Sequence, residues 1–130
     1  MKNARKMFLV ATVCLLSACG LIGKKDGQLK VGPGEQKLSS GVKSYEDGDY
    51  KASMEALHGA LDMGLNSKRD QTAAYKYLAF IHCISGREKQ CRENFKKAFE
   101  IDPSFDLEPA EAGHPVWGPV FRSVKAKPAK

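Results

Sequence analysis

The sequence is poor in residues that carry chemistry. Its 130 residues include three histidines, His58, His82 and His114, and these are scattered. No Ser-His-Asp order, glycine-rich phosphate loop or metal-ligand motif surrounds them. Two cysteines and His82 can be grouped on paper, but no second ligand pair with zinc spacing completes the site. Glu108 and Glu111 are close in sequence, yet carboxylates paired on a loop are normally solvated. The expectation is therefore no enzyme, no metal and no cofactor. Long apolar runs are missing too. Met7 to Leu16 is apolar apart from Thr12, which is short against the roughly 20 residues of a membrane span. A nucleic-acid footprint is also absent. The formal net charge is +6, but Leu38 to Phe105 holds ten basic and ten acidic residues. The surplus lies towards the ends, at Lys24, Lys25, Lys30 and Lys37 and at Arg122, Lys125, Lys127 and Lys130. A neutral core with basic ends argues against nucleic acid as a partner.

What is present at the start reads as an export signal. Lys2, Arg5 and Lys6 precede the apolar run, and small residues, Ser17 and Ala18, precede Cys19. That order of charge, apolar core and small residues is a secretory signal over residues 1–18. The stretch Leu16-Ser17-Ala18-Cys19 resembles the lipobox of bacterial lipoproteins. The resemblance implies that the Cys19 thiol carries a diacylglycerol and that the chain is cut just before it. The alternative is an uncleaved anchor helix. Cleavage removes three charges, so the mature chain falls from +6 to +3. By resemblance to lipoprotein sorting, Gly20 rather than Asp after the cysteine favours the outer membrane, facing the periplasm. Residues 19–34, rich in Gly and Lys with Pro33, read as a flexible tether. Its lysines lie near the anchor and could meet anionic headgroups, or simply be solvated.

From Glu35 the apolar period becomes helical, and two related units emerge. Gly48 and Gly86 each mark a turn between helices. Leu57 and Phe95 each follow their glycine by nine residues, and Ala60 and Ala98 by twelve. Helix B of the second unit places Cys91, Phe95, Ala98 and Phe99 on one face. Pro103 stops that helix. The pattern Tyr75, Leu78, Ala79, Gly86, Cys91, Phe95, Ala98, Pro103 resembles the tetratricopeptide repeat. The first unit is degenerate, with Lys37, Ser40 and Ser53 in the aromatic, Leu and small slots. The units are 38 residues apart, against a family period of about 34, and the excess falls near Met63 to Asp70. Beyond Pro103, four further prolines at 109, 115, 119 and 128 break up the sequence. Those in the stretch to Phe121 rule out a long regular helix there. Phe105, Leu107, Trp117, Val120, Phe121 and Val124 are too many apolar residues for a free tail. They predict a strap that folds back over the second repeat. Two repeats make a thin stack that needs such a cover. Trp117, the only tryptophan, is expected in the core of that cap, with an exposed interface anchor as the alternative. Residues 125–130 read as a disordered end.

The expected fold is all-α, with a repeat domain over residues 35–124. Cys83 and Cys91 flank the Gly86 turn, where antiparallel helices bring such positions together. In an oxidising compartment they would form a disulfide; the alternative is two small buried apolar residues, Cys91 in an Ala-like slot. Stacks of this kind present a concave groove for protein segments, here lined by Leu38, Val42 and Tyr45 and by Thr72, Lys76, Ala79 and Cys83. The lipobox, the paired repeat with Cys83 and Cys91, and the ending from Asp102-Pro103-Ser104-Phe105-Asp106-Leu107 to Gly113-His114-Pro115-Val116-Trp117-Gly118-Pro119-Val120-Phe121 together resemble the TssQ-type lipoproteins associated with type VI secretion systems. That resemblance implies an accessory adaptor at the envelope. A pilotin or assembly lipoprotein for another envelope complex, and a regulator of a peptidoglycan hydrolase, use the same groove and remain alternatives. The expected partners are a protein of an envelope or secretion complex and the membrane, through the lipid. Self-association through an uncovered repeat face stays open.

Overall fold

The computed structural model describes residues 30–127; residues 1–18, read above as an export signal, Cys19 and most of the stretch read as a tether lie outside the described residues. Six helices follow in order: α1 Pro33–Glu46, α2 Tyr50–Met63, α3 Lys68–Ile84, α4 Glu88–Ile101, α5 Pro109–Ala112 and α6 Trp117–Lys125. The described residues contain no strand. None of these helices is long and apolar enough to cross a membrane.

Local chemistry starts and stops the helices. Pro33 opens α1, where its fixed φ suits the first turn and its missing N–H costs nothing. The helix therefore begins two residues before Glu35, inside the stretch read as tether. Asp49 caps α2 by accepting from the Ala52 amide at 3.0 Å, and Ser67 caps α3 by accepting from the Asp70 amide at 3.0 Å. Gly48 and Gly86 sit at φ 79° and 72°, a left-handed conformation that a side chain would disfavour. The two turns are thus the same device used twice. The longer period has its source in the Gly64–Ser67 connection and in α3, which has 17 residues where α1, α2 and α4 have 14.

Packing repeats as well. In the first hairpin α1 and α2 cross at Gly41, where an added Cβ would lie 2.9 Å from the Leu57 side chain. The Ser53 hydroxyl, buried at the crossing, donates to the Gly41 carbonyl at 2.7 Å. Thirty-eight residues on, Ala79 replaces Gly41 and Cys91 replaces Ser53. Both are fully buried at the α3–α4 crossing, with Phe95 and Ala98 beside them. Small residues at both crossings let the helices approach closely. Leu38, Leu57, Ala60, Leu65, Ala74, Leu78 and Ile81 join the two hairpins in one cluster.

A second cluster joins the second hairpin to the strap. Leu107, Trp117, Val120, Phe121 and Val124 are all buried there against Phe80, Cys91 and Phe95, and Phe105 is half-buried beside them. The strap contains more helix than its prolines suggest. Pro119 is the third residue of α6, within the first turn, where an amide has no intrahelical acceptor to lose. The helix also extends to Lys125, one residue into the expected disordered end, and the Lys125 ammonium is 2.5 Å from Asp106.

Candidate protein-binding face

The expected groove residues lie on α1 and α3, the first helix of each hairpin. Three of them cannot touch a partner. Leu38 is 8% exposed, Thr72 5% and Ala79 0%. Leu38 is consumed by the cluster between the hairpins, and Ala79 by the cluster under the strap. Stacking a repeat on its neighbour uses part of the same helix face that a groove would use, so periodicity overcounts the free positions. Cys83 is withdrawn too: it is buried, with its sulfur 2.08 Å from that of Cys91 and the two Cα atoms 5.1 Å apart across the Gly86 turn. Val42, Tyr45 and Lys76 remain, each half-buried.

These three border a row of aromatic rings. The Tyr45 ring centroid is 5.7 Å from that of Tyr50 and 5.0 Å from that of Tyr77, and Tyr77 is 6.0 Å from Phe80. Trp117 stacks on Phe80 at 4.2 Å and 19°, and His114 stacks on Trp117 at 3.4 Å and 4°. Burial pushes the Tyr45 hydroxyl up to about 12, with the phenols of Tyr50 and Tyr77 adding to the shift. Tyr45 therefore stays a neutral donor at any physiological pH. The Lys76 ammonium lies 4.7 Å above the Tyr77 ring and 2.6 Å from the Glu111 carboxylate.

The strap thus reaches the groove itself. Glu111 is not the solvated carboxylate expected of a loop: it pairs with Lys76, and both side chains are largely covered. It also caps the start of α5, since its carboxylate accepts from the Glu108 amide at 3.0 Å. The Glu111 carbonyl accepts from the Trp117 indole at 2.8 Å. His114 folds its Nδ1 back onto the Val116 amide at 3.2 Å. One acidic residue therefore fixes the strap to the groove lysine, and one tryptophan fixes it to the groove aromatics. Trp117 is 7% exposed, which places it in the core of the cap and removes it as an interface anchor.

Phe80, Tyr77 and Glu111 carry this arrangement without standing out in the repeat pattern. Phe80 falls one residue after the small slot of Ala79, and Tyr77 one residue before Leu78. Both lie on the flank of the amphipathic stripe, where a hairpin alone would expose them. His82 occupies an inner position, 7% exposed, with no hydrogen-bond partner for its Nδ1. Burial holds its pKa below the usual imidazole value, and Arg87 and His58 push the same way. The free part of the face consists of aromatic edge, a neutral phenol and the aliphatic Val42, a surface suited to apolar contacts and few hydrogen bonds.

The chain is 33% identical over 64 residues to the Photosystem I assembly protein Ycf3 of Synechococcus sp. (strain CC9605). The match covers 49% of this chain and 36% of that protein, so the chain spans little more than a third of the length of the curated relative it matches. No family model matches the chain, and no solved structure matches it. The hairpin pairing of α1 with α2 and α3 with α4, the repeated glycine turns and the small crossing residues make the described chain an all-helical, tetratricopeptide-like fold.

Proposed function

We propose that this chain is a lipid-anchored adaptor of the bacterial periplasm, held at the outer membrane through Cys19, that binds a protein segment along Val42, Tyr45 and Tyr77. The observation that carries the reading is the aromatic row Tyr45, Tyr77 and Phe80 on the first helices of the two hairpins, of which Tyr45 and Tyr77 stay partly exposed. The likeness of the strap ending and the paired repeat to the TssQ-type lipoproteins supports an accessory role beside a type VI secretion system. In that compartment the Cys83–Cys91 bridge would form and persist. No covalent chemistry is asked of the site; the only non-protein group is the lipid.

A second reading is favoured by one comparison. The relative in Synechococcus is named as an assembly protein, which suits a pilotin or assembly lipoprotein that escorts another envelope component. The two readings differ in the partner. A photo-crosslinking residue placed at Tyr45 in the native, lipidated protein would label the neighbour in intact cells, with the same residue at exposed Met63 as control. A secretion-apparatus component captured at Tyr45 and not at Met63 supports the first reading. A porin, pilus or other outer-membrane client captured there supports the second. Equal labelling at both positions, or none, rejects the groove.

A further inference from the structure

A separate cleft lies where α2 meets the C-terminal end of α3, beside the Gly86 turn. It encloses about 550 Å³, and none of Val42, Tyr77 or Lys76 lines it. Its apolar floor is the half-buried Met54, backed from beneath by the fully buried Ile81, with Tyr50, 40% exposed, at one end. Its rim carries Lys51, His58 and Arg87 against one carboxylate, Glu55. Among the described residues neither Lys51 nor Arg87 is in an ion pair. The Arg87 guanidinium instead lies 3.5 Å from the Met54 sulfur, which holds it over the floor.

Another cavity among the described residues, between the ends of α4 and α6, shows the contrast. It also has a lysine rim, but Lys96 is 3.5 Å from Glu93 and Lys125 is 2.5 Å from Asp106. Its charge is largely answered within the chain. Around the α2–α3 cleft it is not. His82 is buried next to this wall with an unpartnered Nδ1; burial, and then Arg87 and His58, hold its pKa below the usual imidazole value.

We propose that this cleft is a second docking site and that it takes an acidic segment of a partner protein, with carboxylates on Arg87 and Lys51 and an aliphatic side chain on Met54 and Tyr50. Arg suits the carboxylate because its planar fork can hold both oxygens. Charge of this kind sets approach and register, while the apolar floor supplies contact area. Two permanent cations around an apolar floor are too few for a nucleic-acid backbone, which requires an extended basic stripe.

The test uses the full chain in neutral detergent and a labelled peptide, Asp-Leu-Glu-Asp-Leu-Glu, with its Asn/Gln counterpart. Anisotropy should show saturable binding of the acidic peptide, weakened at least about ten-fold in the neutral peptide and in the double variant Lys51→Gln with Arg87→Gln. One lost charge-assisted contact of about 1.4 kcal/mol is a factor of ten. Binding should weaken as salt rises. Amide shifts in the NMR spectrum should fall on residues 50–58 and 85–87. Both substituted side chains are on exposed residues, so an unchanged thermal melt confirms that the variant is folded. Three outcomes overturn the proposal: no binding, binding unaffected by the double substitution, or shifts confined to Val42 and Tyr45. Displacement by inorganic phosphate at equal charge would reduce the cleft to an anion site and also overturn it. Self-association abolished by Arg87→Gln would make the occupant a second copy and do the same. Tyr45 crosslinking is read separately, so failure here leaves the groove reading intact.

Discussion

Truncating Trp117 to alanine isolates the contact between strap and repeats. The indole is 7% exposed, stacks on Phe80 at 4.2 Å and sits in the cluster with Phe95, Val120 and Phe121. Removing a buried tryptophan side chain costs about 3–5 kcal/mol. The ring stack is part of that figure, at about 0.5–1.5 kcal/mol. The indole hydrogen bond adds little, because the Glu111 carbonyl it donates to also accepts from the His114 amide at 3.1 Å and stays satisfied. A domain this small has only about 5–15 kcal/mol in total, and the lower end is the fair expectation. Trp117→Ala should therefore be barely folded at 25 °C. With a urea slope of about 1–3 kcal/mol per molar, its midpoint, read by far-ultraviolet circular dichroism, should fall by more than about 1 M. Trp117→Phe keeps an aromatic ring beside Phe80 but loses the hydrogen bond and part of the buried indole, so its loss should be smaller than that of Trp117→Ala. In the parent protein the Trp117 emission should be blue-shifted and poorly quenched by iodide, and should move red on unfolding. A Trp117→Ala midpoint within about 0.3 M of the parent, roughly 0.3–0.9 kcal/mol on that slope, would refute the cap. So would a red, freely quenched native emission.

Three further outcomes are expected from the packing and one from the Leu16–Cys19 sequence. Ala98→Leu should cost about 1–3 kcal/mol by overpacking the α3–α4 crossing, where Ala98 is fully buried; an unchanged melting temperature would show the register to be wrong. Replacing Cys83 and Cys91 by serine should cost about 2–3 kcal/mol, since the bridge spans only eight residues of sequence and short loops gain least; equal stability of the oxidised parent and the double variant would argue that the thiols do not pair. His82 is held neutral by burial, with a pKa below its unfolded value. The unfolded chain then binds the extra proton first, so stability should be level above about pH 6.5 and should fall as the pH drops below it; His82→Phe should flatten that slope, and an unchanged slope would place its origin elsewhere. Cys19→Ala should stop incorporation of labelled palmitate and release the protein from membranes, and unchanged fractionation would reject the lipid anchor.

Much of this fold is legible without coordinates because tetratricopeptide-like hairpins are encoded locally. Gly48 and Gly86 announce the turns, since few other residues tolerate their backbone angles. Ala79, Cys91 and Ala98 announce the crossings, since little else fits between close helices. The binding face is less legible. Leu38, Thr72 and Ala79 lie on α1 and α3 but are buried there, because a helical period specifies a stripe and not which edge of it stays wet. Tyr77 and Phe80 sit on the flank of that stripe, and their role depends on what lands beside them.

The residues alone determine the helical class, the two turns, the helix that ends before Pro103 and the need for a cover over the second hairpin. Each rests on backbone restriction, side-chain size or apolar count, which act over a few neighbours. Only the tertiary structure decides where the cover goes. Glu111 finds Lys76 across 35 residues, and Trp117 finds Phe80 across 37. Such pairings are settled by the shape left when α3 and α4 have packed, so the strap, and the part of the groove it leaves open, belong to the assembled molecule.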